Sequence, residues 1–206
     1  MYRNYLKHIF DFLAAILGFI ILSPLFLLLC LMIKLDSKGP VFFKQRRIGK
    51  DKTEFLILKF RSMKVDAPKD QPTHLLKDPE AYITRLGKFL RKTSLDELPQ
   101  LINIIAGQMS IVGPRPALYN QYDLVAMRDE YGANDVRPGL TGWAQVNGRD
   151  ELPIDVKSRF DGEYIEKMSF LFDLKCIART FKSVSTADGI VEGENSSNIG
   201  DTKKSK

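Results

Sequence analysis

The longest apolar run in the chain lies near its start. From Phe12 to Ile33 the sequence reads FLAAILGFIILSPLFLLLCLMI, 22 residues without a charge, and about 20 such residues span a hydrocarbon core as a helix. A secretory signal has a shorter apolar region and a small-residue cleavage site. A lipoprotein signal wants a small residue before its cysteine, and Leu29 precedes Cys30. The segment therefore reads as retained. Ser23-Pro24 falls almost at its centre, where proline removes a donor and clashes with the carbonyl four residues back, while a serine hydroxyl can satisfy the freed carbonyl. Both flanks are basic: Arg3 and Lys7 before, then Lys34, Lys38, Lys44, Arg46 and Arg47 after. The positive-inside rule would put both flanks in the cytoplasm, as a kinked hairpin allows. A proline-kinked spanning helix with a short outside tail fits the pattern equally well.

Beyond the run, residues 39–49 and 54–63 read as short β segments around a turn at Lys50-Asp51. Val65 to Glu80 is a polar, proline-bearing loop. Residues 81–91 are helical in pattern, and 98–106 continue as an apolar helix ended by Gly107. SIVGPRPALYN and VRPGLTGWAQVNGRD are Gly/Pro-rich connections, expected to be irregular. Residues 154–167 read as a helix. Residues 170–184 place apolar groups at helical spacing with basic groups between, as suits packing on the domain or lying in a membrane interface. Residues 187–206 are polar and read as a disordered tail. The soluble part reads as one compact α/β unit with irregular loops.

Composition narrows the partners. The 206 residues carry 31 Lys+Arg against 25 Asp+Glu, a formal charge of +6, which favours anionic partners such as phosphorylated substrates, an anionic membrane face or nucleic acid. Two cysteines, Cys30 and Cys176, make neither a disulfide framework nor a zinc cluster and fit a reducing compartment. His8 and His74 lie far apart in sequence, and His74 in a polar loop reads as a solvated side chain.

The stretch KTSLDELPQL, residues 92–101, puts two acids where a helix begins. Ser94-Leu95-Asp96-Glu97 fits a capping box. Pro99 would then fall where a donor is normally used, so a start nearer Asp96, with Asp96 itself as cap, suits the proline better. Spacing alone favours capping. The chemical reading is that a carboxylate at a helix start stays ionised, that the same amides welcome phosphate, that an aspartate can attack phosphorus, and that a glutamate can hold Mg²⁺. Adjacent helical residues point about 100° apart, so the two acids can take different tasks. Phosphoryl chemistry also needs cations against spreading negative charge. Lys59 and Arg61 alternate on one strand face. Arg91 lies five residues before Asp96, Arg115 is fixed between Pro114 and Pro116, Arg137 precedes Pro138, and Arg149 closes QVNGR.

Taken in order, the central Ser23-Pro24, GPVFFKQRRIG, KFRSM, TSLDELPQL, MSIVGPRP and RPGLTGWAQVNGR resemble the bacterial sugar transferase family, the small monotopic polyprenyl-phosphate phosphoglycosyl transferases, over roughly residues 1–186. The resemblance implies transfer of a sugar phosphate from a UDP-sugar to undecaprenyl phosphate with release of UMP. It implies Asp96 as nucleophile through a covalent phosphosugar intermediate and Glu97 as Mg²⁺ ligand. Lys59, Arg61, Arg91, Arg115 and Arg149 would meet phosphates, with Pro114-Arg115-Pro116 near the nucleotide and Asp161, in RFDGEYI, as a further site acid. The fold implied is α/β, a single compact irregular domain, with an N-terminal re-entrant helix broken at Ser23-Pro24 (residues 1–36), a catalytic part (37–186) carrying an amphipathic C-terminal helix, and the polar tail (187–206). The implied place is the cytoplasmic face of the bacterial inner membrane, in contact with membrane lipids, at the start of capsule or exopolysaccharide assembly. Downstream glycosyltransferases are implied as further partners, and nucleic acid is not.

The chain departs from the family pattern at three points. His8 stands where KR-x-F-D has arginine, weakening headgroup contact near neutral pH. Gln108 replaces a common acid, and Glu163 stands where an aromatic is frequent. None touches the acid pair, so they bear on donor or acceptor preference. Two other readings compete: a membrane-anchored glycosyltransferase releasing UDP, and a basic membrane-anchored module for nucleic acid or anionic lipid, which leaves the paired acids beside a proline-locked arginine without a purpose.

Overall fold

The computed structural model describes residues 2–68, 78–148 and 152–186. His74, Arg149 and the 187–206 tail lie outside them. After one π turn at Tyr2–Leu6, helix α1 runs from Lys7 to Asp36, about 45 Å at 1.5 Å per residue. Its inward positions are Lys7, Asp11, Ala15, Phe26, Leu29 and Ile33, with Phe19 and Leu22 packed between them. Those eight recur every three or four residues, one stripe of a 3.6-residue helix. The opposite side, including Leu17, Ile20, Ile21 and Leu27, is exposed.

The expected helix-break-helix is one continuous helix, with Pro24 inside it. Pro24 leaves the Ile20 carbonyl without its backbone donor. The Ser23 hydroxyl donates to that carbonyl at 2.8 Å, while Phe26 packs edge-on against Phe19 across the proline turn.

Strands β1 (Phe42–Ile48) and β2 (Glu54–Phe60) form an antiparallel hairpin with Phe42 opposite Phe60 and Ile48 opposite Glu54. The turn between them is a short 3₁₀ segment, Lys50–Lys52, with Asp51 and Lys52 at positive φ. Helix α2 occupies Arg85–Lys92, later than the 81–91 expected, because Ile83 bridges to Met63 and Thr84 is the N-cap, accepting from the Gly87 amide at 2.9 Å. A single 3₁₀ turn, Leu95–Glu97, leads to α3 (Gln100–Ile105), and Gly107 at φ +74 closes that helix as a left-handed C-terminal residue does.

The two Gly/Pro-rich connections are more regular than expected. Each contributes a three-residue strand, β3 (Ser110–Val112) and β4 (Gly139–Thr141), paired in parallel. Helix α4 (Tyr122–Asp129) lies between them. Helix α5 (Ile154–Lys167) falls where the spacing predicts it, and α6 (Phe170–Thr186) follows. The amphipathic division expected of α6 is not clean: Phe172, Cys176 and Ile177 pack inward with Trp143 and Tyr164, yet Leu171, Leu174 and Phe181 are exposed.

Polar side chains fix α1 at both ends. Near its start, Lys7 Nζ donates to Asp173 Oδ2 at 2.7 Å, and Tyr2 and Tyr164 donate to the two oxygens of the same carboxylate. Asp11 accepts from the Ser110 hydroxyl and the Ile111 amide, joining α1 to β3. At its far end the Arg61 guanidinium donates to the carbonyls of Ile33, Ser37 and Lys38. In the middle, Asn103 of α3 holds β2, accepting from the Leu58 amide and donating to the Leu56 carbonyl.

Helix α2 crosses the chain at Ser62 with no room to spare. A Cβ added at Gly87 would lie 1.9 Å from the Ser62 carbonyl oxygen. Gly87→Ala should therefore cost about 1–3 kcal/mol, as overpacking does, although helix propensity alone would favour alanine by about 1 kcal/mol. A denaturant midpoint of the purified variant below that of the wild type is the expected result; an unchanged or raised midpoint would show that α2 can slide off Ser62.

Candidate active site

The acid pair sits on the 3₁₀ turn between α2 and α3. Ser94, ahead of it, adopts the left-handed region at φ 56 and ψ 16, and its side chain makes no capping bond. The N-cap of α3 is Pro99. Neither acid caps a helix, so the capping reading has no hydrogen bond behind it. The turn buries Asp96, 7 % exposed, against a cavity of about 390 Å³, within the usual size for a small-molecule site.

Glu97 is the electrostatic centre. Its Oε1 accepts from Lys59 Nζ of β2 at 2.6 Å and from Arg115 Nη2 at 2.9 Å. Burial by itself would raise the Glu97 carboxyl; the charges of Arg115 and Lys59, each also a hydrogen-bond donor, override it and hold the group well below the usual carboxylate range. Asp96 goes the other way. Burial is the largest influence and pushes it up; Lys59, Arg91 and Arg115 pull it back, the Glu97 charge adds to the rise, and the result is about 6. Two adjacent carboxylates therefore differ, one firmly ionised and one poised near neutrality, a separation typical of chemical sites.

The segment carrying Arg115 is held carbonyl by carbonyl. Gly139 N–H donates to the Pro114 carbonyl, Arg128 Nη1 to that of Arg115, Arg47 Nη1 to that of Pro116, and Ile48 N–H to that of Ala117, all at 2.9 Å. β4, α4 and β1 thus converge on the proline-flanked arginine.

Of the residues singled out from sequence, Asp96, Glu97, Lys59, Arg91 and Arg115 come together, with Lys59, Arg91 and Asp96 lining one cavity. Arg61 lines that cavity too, but its guanidinium is engaged by the backbone at the end of α1. Asp161 is 1 % exposed and pairs with Arg128, Nε to Oδ2 at 2.8 Å; it acts on the site through Arg128, which holds the Arg115 carbonyl. Sequence reading passed over Arg128, an isolated cation in MRDEYG with no local signal, and Asn103, whose polar side chain inside the apolar QLINII was a signal. Glu163, noted as a departure, accepts from the Trp143 indole at 2.8 Å, and Gln108 accepts from Asn103 at 2.8 Å.

For a metal, Asp96 and Glu97 offer hard carboxylate oxygens, which suit Mg²⁺; that ion commonly takes one or two carboxylates and completes its shell with water and phosphate oxygens. Among the described residues no group of three or more His, Cys, Asp or Glu side chains is placed to hold a metal.

The sequence of residues 2–187 matches the family described as bacterial sugar transferase. The chain belongs to the bacterial sugar transferase family. This transferase is 39 % identical to the "Uncharacterized sugar transferase EpsL" of Bacillus subtilis (strain 168) over 185 residues, covering 90 % of each chain. It is also 39 % identical to the "Exopolysaccharide production protein ExoY" of Sinorhizobium fredii (strain NBRC 101917 / NGR234), covering 89 % of this chain and 87 % of that one. It is 42 % identical to the "UDP-glucose:undecaprenyl-phosphate glucose-1-phosphate transferase" of Escherichia coli (strain K12), matching 85 % of this chain and 39 % of that longer protein.

Two outcomes follow from the charges in this transferase. A carboxyl raised from its ordinary 3.8 to about 6 binds its proton more tightly folded than unfolded, so stability falls as pH rises through about 4 to 6. Asp96→Asn removes that slope, and its melting temperature should exceed that of the wild type at pH 7.5 while the two converge near pH 4. Equal melting at both pH values would show that Asp96 is not strained by burial. Arg128→Met leaves Asp161 buried without its partner and should cost about 3–5 kcal/mol; Arg128→Met combined with Asp161→Leu should recover most of that loss in a denaturant series.

Proposed function

We propose that the chain transfers a sugar 1-phosphate from a UDP-sugar to undecaprenyl phosphate, releasing UMP, through a covalent intermediate on Asp96. The observation that carries this reading is the acid pair itself: a buried, hydrogen-bond-poor carboxylate facing a cavity, beside a second carboxylate that keeps Lys59 and Arg115 in place. The matched relatives support the substrate class. One is named a UDP-glucose:undecaprenyl-phosphate glucose-1-phosphate transferase, and another a UDP-N-acetylgalactosamine-undecaprenyl-phosphate N-acetylgalactosaminephosphotransferase.

In the first half-reaction an Asp96 carboxylate oxygen attacks the phosphorus that bears the sugar. The bond from that phosphorus to the bridging oxygen breaks, and UMP leaves with the electron pair. In the second, a phosphate oxygen of the lipid attacks the same phosphorus, the acyl phosphate bond breaks, and Asp96 returns as a carboxylate. Lys59, Arg91 and Arg115 offset charge on the transferring group. Asp96 must be ionised to attack, and a carboxyl titrating near 6 balances ionisation against nucleophilicity at neutral pH. Mg²⁺, held by a Glu97 oxygen, would neutralise diphosphate charge when bound. The cavity lining also includes Phe42, Phe60, Met63 and Val65, which suits the apolar start of a polyprenyl chain.

The membrane setting has structural support. α1 is long and apolar enough to cross a membrane by length and composition, yet both of its ends are tied by polar groups to the same domain. Crossing would put those ends about 30 Å apart on opposite sides of the hydrocarbon. That supports α1 and the neighbouring Phe170 edge of α6 entering one leaflet, where Phe10 and Phe170 have ring centroids 5.5 Å apart; the basic flanks of α1 favour the cytoplasmic face by the positive-inside rule. Initiation of a capsule, exopolysaccharide or other surface glycan is the matching physiological role.

Full-length protein in nanodiscs with Mg²⁺, undecaprenyl phosphate and a panel of UDP-sugars should release UMP, dependent on the lipid phosphate. Asp96→Asn should lower turnover at least a thousandfold, Arg115→Lys by about ten- to a hundredfold, and chelation of Mg²⁺ should stop it. Release of UDP would mean transfer of the sugar alone. Undiminished UMP from Asp96→Asn would remove Asp96 as nucleophile.

A further inference from the structure

The β1–β2 hairpin has two outer edges, and proteins usually cover the unpaired backbone of such edges. On β2 the outward groups are taken by Asn103, which accepts from the Leu58 amide and donates to the Leu56 carbonyl. β1 is covered toward its end, where Ile48 N–H donates to the Ala117 carbonyl at 2.9 Å and Arg47 bridges to Leu118. The ladder decides which other residues of β1 turn their backbone outward. Arg61 N–H donates to the Val41 carbonyl and Gly49 N–H to that of Thr53, so the odd-numbered positions of β1 exchange bonds with β2. Phe42, Lys44 and Arg46, opposite Phe60, Leu58 and Leu56, therefore direct N–H and C=O away from it. No described residue bonds to the outward backbone groups of Lys44.

The acid-pair cavity reaches this edge. Its lining takes Phe42 and Lys44 from one face of β1 and Phe43, Gln45 and Arg47 from the other, since successive strand residues point to opposite faces. β2 closes the inner edge, so a cavity that touches both faces passes around the outer one. Val41 and Arg46 are not in the lining. Of the three outward residues, Lys44 is thus the one with lining residues on both sides.

The Lys44 amide and carbonyl point the same way, a donor and an acceptor side by side. Their complement is a planar group with an N–H beside a C=O on one edge, the arrangement of a cis amide. A sugar N-acyl group is a trans amide and turns its N–H and C=O to opposite sides. Uracil carries N3–H between two carbonyls and fits in either sense. We propose that the backbone edge of Lys44 reads the uracil of the donor, its carbonyl accepting from uracil N3–H and its amide donating to the adjacent uracil carbonyl. This assignment deepens the UDP-sugar reading above and rests on it. The two substrates react in turn, so the base and the start of the polyprenyl chain share the cavity without meeting.

Calorimetric titration of the full chain in nanodiscs with UMP and with 3-methyluridine 5′-monophosphate tests this. Methylation at N3 removes the donor and sets a methyl group against the strand. The wild type should bind UMP about tenfold or more tighter than the methylated nucleotide, as a lost hydrogen bond and an unmet partner imply. Proline is tolerated where a strand N–H faces outward, so Lys44→Pro removes the amide donor and keeps the ladder with β2; it should weaken UMP about tenfold. Lys44→Ala keeps the amide and should stay within about threefold of the wild type, the worth of an exposed charge. Equal affinity of the wild type for the two nucleotides would overturn the proposal without recourse to any variant. Equal losses in Lys44→Pro and Lys44→Ala, or no saturable binding of UMP, would overturn it as well. The titrations involve no turnover. Lipid-dependent UMP release without discrimination at N3 would leave the transfer reading standing and remove this site, whereas discrimination at N3 with release of UDP from the sugar panel would do the reverse.

Discussion

An apolar helix fastened by polar groups at both ends organises this molecule. Among the described residues, the inward stripe of α1 touches two of three buried clusters, and Phe19 and Leu22 pack against both. Apolar burial supplies attraction without direction, so the stripe alone would allow the helix to slide or rotate. The Lys7–Asp173 pair, the Asp11–Ser110 bond and the three carbonyls gathered by Arg61 remove that freedom. Since Arg61 directly follows β2 and Lys59 lies within it, the position of α1 and that of the cation beside Glu97 are set by one strand.

The acid pair shows how neighbours in sequence acquire different chemistry. Both carboxylates lose water. Glu97 regains two charged donors on a single oxygen, whereas no described side chain donates to Asp96. Desolvation then dominates at Asp96 and ion pairing at Glu97. Such an arrangement works against stability at one residue while holding the cations in place through the other, a pattern expected where a site is shaped for reaction rather than for folding.

Much of this was legible in the residues because it depended on local pattern. The hairpin and α5 follow from spacing, and the five candidate residues that the fold brings together were singled out by type and setting. What escaped depended on distant pairing. β3 and β4 are three residues each and exist only because each meets the other across the intervening α4; nothing in SIV or GLT alone announces a strand. Arg128 looked like any surface cation, and its burial against Asp161 is a tertiary fact. Asp161 had been read as a site acid, yet it reaches the site through another side chain. The Ser23-Pro24 pair was read as a break, whereas the serine supplies the bond that lets the helix continue.

The loop from Pro114 to Ala117 has one further consequence. With four successive carbonyls held from three directions, its conformational entropy is lost when the chain folds and not when a ligand arrives. Recognition by Arg115 then has little backbone ordering penalty, and its side chain starts from a fixed Cα and a bond to Glu97. Such a cation discriminates by position: it rewards an anion that fits within the short reach of a side chain whose root does not move.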